Sequence, residues 1–456
     1  MTNNPIVSEQ KGKIFYGWFV VAGGFMLMST CYAVFVNCIP VFQPDIVSDP
    51  SVSINSMTAF NTGVMLCTAV AIFASLAFGP LIDKYSSRLL GSFTVITTSV
   101  CMFLFHFLST AVMFYILCIV AGVVVVAGTR LLASVIVANW FIYRRGLAVS
   151  IALSGSGFGG IILSQVCKVI IASPNLGWRP AFLVLAAVAL VGSLPLILIA
   201  FRKNPVEKGL LPYGADRPDL IEKDKSADTP VNVSVGLKIL LKDMGFWILI
   251  IGFVAMGIVN GAVITNTVTN MSSVEIDGVL ITLGGHSREW ATNVLSFYMF
   301  VVIVAKISLG AIYDRFGIKF STLLGTAACL IAAVALCFPH TNYAPIIAAI
   351  AFGFGTCMGT VSPPIHAVRQ YGMKDLGKVT GLITAFELMG AAVGALVSGL
   401  LFDASHSFVS TWIMVMVASA VMGVCLLVAI PAAKKLVEKR IAEGAPILNS
   451  AGVEIV

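Results

Sequence analysis

Long apolar stretches alternate with short polar connections along the whole chain. A helix rises about 1.5 Å per residue, so about 20 apolar residues cross the roughly 30 Å hydrocarbon layer of a bilayer. In that layer every backbone polar group must be satisfied internally, so such stretches read as helices. The pattern predicts twelve spans: 16–40, 56–82, 89–109, 112–140, 146–172, 178–201, 244–270, 290–313, 320–338, 343–367, 377–402 and 408–433. The polar start, Met1 to Lys13, is not expected to be a secretory signal. The apolar run behind it is too long for one and lacks a small-residue cleavage site.

One connection differs from the rest. The stretch from Arg202 to Asp243 is long, charged and proline-bearing (KNPVEKGLLPYGADRPDL), and it separates six spans from six. The two sets repeat. GPLIDKYSSR (79–88) falls on GAIYDRFGIK (310–319) at a shift of 231, which also lays Ser150 on Gly381 and Gly159 on Gly390. At 229, Trp18 meets Trp247, Gly23 meets Gly252 and Asn37 meets Asn266. A near-constant shift points to one duplicated six-helix unit. The expected division is an N-terminal bundle over 1–201, a linker over 202–243, a C-terminal bundle over 244–441 and a tail over 442–456.

Composition narrows the class. Only 11% of the 456 residues are charged, against about 25% in soluble domains. The connections on the side of both termini hold Lys11, Lys13, Lys84, Arg88, Arg144, Arg145, Arg202, Lys203, Arg315, Lys319, Lys374 and Lys378. The opposite loops hold only Arg179 and Arg288 among basic residues. The positive-inside rule places both termini in the cytoplasm, and this asymmetry accounts for the net charge of +7 without a nucleic-acid partner. The ten cysteines lie in or beside apolar spans with no CxxC pair, and no histidine has metal-ligand spacing. They read as packing residues, and no metal or cofactor is expected. There is no phosphate-binding G-x-x-x-x-G-K-[ST] loop, so the drive must be a gradient. Without a nucleophile–base pair at a membrane face, an enzyme is not expected.

The loop pattern G-x-x-x-D-[KR]-x-x-x-[RK], present at 79–88 and 310–319, resembles the signature of the major facilitator superfamily. WFIYRRGLA (140–148) and GWRPAF (177–182) are similar to further turns of that superfamily. The first loop copy lacks the usual Gly, which the second keeps as Gly317. The resemblance implies an all-α membrane protein of two pseudo-symmetric six-helix bundles that moves its cargo by alternating access. It also implies that Asp83, Arg88, Arg145, Asp314 and Arg315 form the cytoplasmic latch, with Arg145 or Lys84 as partners for the acids. The plainer alternative is that the basic residues only set topology.

Three charges lie deep. Lys306 stands eight residues from Asp314, Arg130 ten before Trp140 and Glu387 ten after Gly377, or roughly 12 to 15 Å into the layer. Such charges cost several kcal/mol unless paired or wet. The resemblance puts all three on helices lining a central cavity. Thr380, Thr384, Glu387, Ala391, Gly394 and Ser398 form a small and polar stripe. Asn260, Asn266, Thr267, Tyr32 and Asn37 add polar groups on other lining spans. Lys168 falls at the far end of its span and is expected to snorkel to the interface. Two cations against one acid make a site that attracts anions, and Arg grips a carboxylate with two parallel hydrogen bonds. A purely structural Lys306–Glu387 ion pair is the bland alternative.

KIFYGWFVVAGGFM and NPVEKGLLPYG are similar to segments of bacterial monocarboxylate porters and oxalate:formate antiporters. Those families place a basic residue where Lys306 stands. The antiporter has a second one where this chain has Glu387, a departure that favours one carboxylate plus a titratable group. The expectation is a monomeric multi-pass transporter of the cytoplasmic membrane, carrying a small organic carboxylate anion with a proton. Arg130 and Lys306 would bind the anion, Tyr32, Asn266 and Tyr298 would shape the pocket, and Glu387 would couple the proton. Anion exchange without protons, proton-driven drug export and a non-transporting receptor are the rival readings.

Overall fold

The structure is a computed structural model of the chain. It describes residues 14–54, 57–171, 173, 177–215, 235–271, 273–276, 279–282, 284–443, 447–448 and 454–455. The apolar stretches are helical, as a backbone deprived of water requires. Many outward side chains are large and apolar, Phe73 (71% exposed), Val191 (72%) and Leu396 (64%) among them. These faces suit acyl chains and not water. The chain forms two compact units. The first lies within Met1–Asp224 and Asp375–Leu382, the second within Lys225–Lys374, Ile383–Leu448 and Glu454–Val456.

In the first unit, α1 (Gly17–Leu27) runs on into π-helical turns, Met28–Tyr32 and Val34–Cys38. α2 (Met57–Lys84) is followed by α3 (Ser87–Phe105), whose N-cap Ser86 accepts a hydrogen bond from Leu89 N–H. α4 (Ala111–Val124) begins likewise on Thr110, passes through π-helical Val125–Leu131 and continues as α5 (Leu132–Trp140). α6 (Arg145–Ile171) and α7 (Arg179–Ala200) complete the unit. α1 and α6 touch backbone to backbone. A Cβ added to Gly159 would stand 1.9 Å from Ser29 O, which only glycine allows. Asn37 Nδ2 donates to Ser156 O across the same seam at 2.9 Å.

The described part of the predicted linker is tied down. Trp140 Nε1 donates to Arg202 O at 2.8 Å, Asn139 Nδ2 to Lys203 O at 3.1 Å and Tyr213 N to Trp140 O at 2.9 Å. Phe15 packs on Tyr213 at 5.2 Å, Tyr16 on Trp140 at 5.3 Å and Trp18 on Phe141 at 5.1 Å. The quoted segments around residues 13–26, 140–148 and 204–214 thus share one aromatic cluster. Residues 216–234 of that linker lie outside the described residues.

The second unit contains α8 (Met244–Met271), an antiparallel hairpin of β1 (Ser273–Ile276) and β2 (Val279–Thr282), and α9 (Arg288–Leu336). α10 (Ala344–Tyr371), α11 (Leu376–Ser405, its first turns in the other unit) and α12 (Val409–Ala442) follow. Among the described residues the hairpin and a second short antiparallel pair, Ile447–Leu448 with Glu454–Ile455, are the strands added to the expected all-helical plan. α12 runs past the predicted end of its span, into a stretch rich in Lys and Glu.

Among the described residues eleven helices are long and apolar enough to cross a membrane, and one, Asn293–Leu336, has 44 residues. That is roughly 66 Å, about twice the hydrocarbon thickness. Gly317 breaks it, at φ 78° and ψ −177°. This left-handed backbone favours glycine. The glycine kept by the second loop motif is therefore where the helix divides into arms that overlay the predicted spans 290–313 and 320–338.

Candidate transport site

Each unit buries charge. Arg130, 6% exposed, lies in the first unit, on the π-helical stretch between α4 and α5. A π-turn widens the helix and rotates the side chains beyond it, and such turns are frequent at functional sites. Neighbouring Gly128 presses on Thr94 of α3, whose Oγ1 would be 2.2 Å from an added Cβ. Tyr32 ends the first π-turn of α1 and is half-buried.

Lys306 (5% exposed) and Glu387 (4%) both belong to the second unit, on α9 and α11. They flank one turn of α10. Lys306 is within electrostatic range of the Cys357 thiol. Glu387 Oε1 lies 2.5 Å from the point where a Cβ on Gly359 would stand, and Asn260 Nδ2 of α8 lies 2.6 Å from the same point. The missing side chain of Gly359 is thus the space that Glu387 and Asn260 share. Glu387 is also held close by its backbone, since its carbonyl oxygen would be 2.0 Å from a Cβ on Gly257.

The other expected pocket residues have defined surroundings. Asn266 Nδ2 donates to Ser398 Oγ at 2.7 Å and to Ala262 O at 2.8 Å, which joins α8 to α11. Tyr298 stacks on Phe352 at 5.5 Å and lines a narrow apolar cleft with Val263, Val294 and Ala348. Lys168 is exposed near the end of α6.

The loop-motif residues have defined contacts of their own. The Asp83 carboxylate accepts from the backbone N–H of Gly377 (3.2 Å) and Lys378 (3.3 Å), at the start of α11 within the first unit. An anion is favoured at a helix N-terminus, where N–H groups lack partners. Asp314 pairs with Arg369 of α10 at 3.2 Å, both largely buried. Arg145 Nε donates to Phe141 O at 2.6 Å and Arg88 Nε to Phe201 O at 3.2 Å, while Arg315 lies over Phe316 at 5.3 Å.

Two features escaped the sequence reading. Gly359 had no motif to mark it. The second is a fully buried cluster between α9 and α10, close to the Asp314–Arg369 pair. Tyr313 Oη lies 2.7 Å from Ser362 Oγ and 3.5 Å from His366 Nε2, and Gln370 Nε2 lies 3.0 Å from His366 Nδ1. The spacing of Ser362, His366 and Gln370, four residues apart, was the available signal.

Known proteins agree with this architecture. A fungal protein from Aspergillus flavus, the MFS transporter asaE, is 24% identical over 394 residues, covering 84% of this chain and 79% of its own. Partial matches reach the riboflavin transporter RibJ of Trypanosoma brucei brucei (27% over 199 residues; 41% of this chain, 34% of that one). They also reach human monocarboxylate transporter 12 (29% over 182 residues; 38% of this chain, 33% of that one). The fold matches the solved E. coli fucose:proton symporter FucP with a TM-score of 0.59, at 15% identity, over 90% of this chain and 98% of that one. The Major Facilitator Superfamily profile matches residues 23–373 and 285–453, and with helices of membrane length in both units this chain belongs to that superfamily of membrane transporters.

Proposed function

We propose that this protein carries a small organic monocarboxylate across the cytoplasmic membrane together with a proton, through twelve spans with both termini inside the cell. The observation that carries the reading is the burial of Lys306 and Glu387 against one turn of α10. Buried Arg130 adds a second cation. In the outward-open state the substrate carboxylate binds Lys306 and Arg130 and displaces Glu387. Without a cation partner a buried carboxylate favours its neutral form, so Glu387 takes a proton. The loaded site then rocks inward. Tyr32 and Tyr298 shape the pocket, while Asn266 sets the spacing of α8 and α11. Asp83 at the start of α11 and the Asp314–Arg369 pair serve as the latch that opens in each cycle, with Arg88, Arg145 and Arg315 around it.

The partial likeness to a monocarboxylate transporter supports this cargo. A second reading, a neutral heteroaromatic cargo, is favoured by the likeness to a riboflavin transporter. The test is uptake into proteoliposomes of labelled lactate, pyruvate, formate, a branched keto acid, an aromatic acid and riboflavin, with and without an inward acid gradient. One monocarboxylate should accumulate under the gradient. Glu387→Gln should keep exchange of that substrate and lose its accumulation. Accumulation of riboflavin alone would overturn the carboxylate reading, and gradient-insensitive uptake that requires an internal anion would make the protein an exchanger.

A further inference from the structure

Asn260 is 8% exposed, and among the described residues its Oδ1 is buried without a hydrogen-bond donor. An unmet buried acceptor costs about 1–3 kcal/mol. The side chain stands at the open face of Gly359, which Glu387 Oε1 also occupies. A carboxylate can only accept, so an ionised Glu387 offers Oδ1 nothing. A carboxylic acid carries an O–H and can donate it.

We propose that Asn260 is a positioning residue for the transported proton: the neutral Glu387 acid donates its O–H to Asn260 Oδ1. This rests on the reading of Glu387 as the proton carrier. When Glu387 is ionised the amide turns Nδ2 to the carboxylate; here Nδ2 and Glu387 Oε1 lie 2.6 Å and 2.5 Å from one point, the place where a Cβ on Gly359 would stand. A half-turn about Cβ–Cγ presents Oδ1 to the acid. No apolar residue can serve the protonated state. Gly359 completes the device, because any side chain there would occupy the space through which the two groups meet.

Lys306 stands on α9, within electrostatic range of the Cys357 thiol of α10, and α8 carries Asn260 and no charged residue. His366 sits nearly two turns further along α10, close to Gln370 and Tyr313.

The test needs no knowledge of the substrate. The full-length protein in liposomes is titrated with pH while infrared difference spectra record protonated carboxyl C=O bands. The band that Glu387→Gln removes belongs to Glu387. In Asn260→Leu this band should move to higher wavenumber, since the acid has lost its acceptor, and Asn260→Gln should restore most of the wild-type position. The near-isosteric Asn260→Asp should raise the midpoint of the titration by at least about one pH unit, because two adjacent carboxylates resist ionising together. An unmoved band in Asn260→Leu, or an unmoved midpoint in Asn260→Asp, overturns the role of Asn260 while leaving Glu387 as proton carrier. If Glu387→Gln removes no band at all, the proton carrier and its positioning residue fall together.

Discussion

The two units bury their charges by different means. In the first, the cation stands on irregular backbone: Arg130 lies within a seven-residue π-helical stretch. Among the described residues the π-helical turns all lie in this unit, on α1 and between α4 and α5. In the second, Lys306, Glu387 and Asn260 stand on α-helices, and Gly359 leaves the space that Glu387 and Asn260 share. A π-turn aims one side chain at the expense of a regular ladder. Glycines at 257 and 359 instead bring whole helices close, so that Glu387 and Asn260 share one small space. On the proposed reading the tasks are separate: the first unit supplies a charge that recognises cargo, and the second supplies groups that exchange partners and hold a proton.

Removing one charge from each unit is the strongest way to break that contrast. Arg130→Gln should reduce both substrate exchange and gradient-driven uptake by about 100-fold or more, the loss expected for two charge-assisted hydrogen bonds. Glu387→Gln should leave exchange within about threefold of wild type and abolish accumulation. If both variants lose both activities equally, the division of labour is wrong. Arg130→Lys sharpens the point. It keeps the charge but loses the planar fork, so KM should rise by about tenfold with little change in kcat.

How much of this was written in the sequence follows from what sequence encodes. Spans are set by the length and apolarity of local stretches, so α2, α6 and α8 could be read from residues alone. The break at 317 was visible as a motif glycine, though its left-handed geometry was not. Lys306, Arg130 and Glu387 announced themselves because charge in hydrocarbon is rare. Partners were harder. Asp314 pairs with Arg369, 55 positions away, and no local pattern distinguishes that arginine from Arg145 or Arg315. Gly359 is one of 41 glycines. Its importance comes from two side chains on other helices, which only the fold brings to it.

The next largest effect should come from the second unit's ion pair. Asp314→Asn removes one partner of a pair in which Arg369 and Asp314 side chains are only 14% and 11% exposed. Leaving a buried cation uncompensated costs about 3–5 kcal/mol, which thermal unfolding in detergent would register as a clear fall in Tm. Asp83→Asn in the first unit should cost less, about 1 kcal/mol, because it meets uncharged backbone N–H groups at a helix start. Equal losses would mean that the two loop motifs, alike in sequence, are also alike in energetics.

Steric change at the α1–α6 seam ranks below this. Gly159→Ala sets a methyl against Ser29 O, which neither helix backbone can vacate without moving. A cost of about 1–3 kcal/mol is expected, again read as a shift in thermal unfolding. Ser150→Ala on the same helix removes a buried hydroxyl for which the described residues offer no partner, and should be neutral or slightly stabilising.

The smallest effect belongs to the far end of the first unit. Asp49 accepts from the Ser51 hydroxyl at 2.6 Å, from Ser51 N–H at 2.8 Å and from Trp178 Nε1 at 3.0 Å, with Arg179 at 3.6 Å. The Ser51 hydroxyl above all, then Ser51 N–H, Trp178 and Arg179, hold the Asp49 carboxyl below the ordinary carboxylate range, against an opposing contribution from partial burial. A carboxyl whose folded value is depressed stabilises the fold fully above its unfolded value of about 3.9 and loses that contribution as pH falls through the folded value. The pair is partly open to solvent, so less than about 1 kcal/mol is at stake. The stability difference between wild type and Asp49→Asn should therefore be small and constant from about pH 8 to 5, and should shrink only below about pH 4. A difference that already shrinks near pH 6 would mean that the Asp49 carboxylate is not the group that governs the GWRPAF turn.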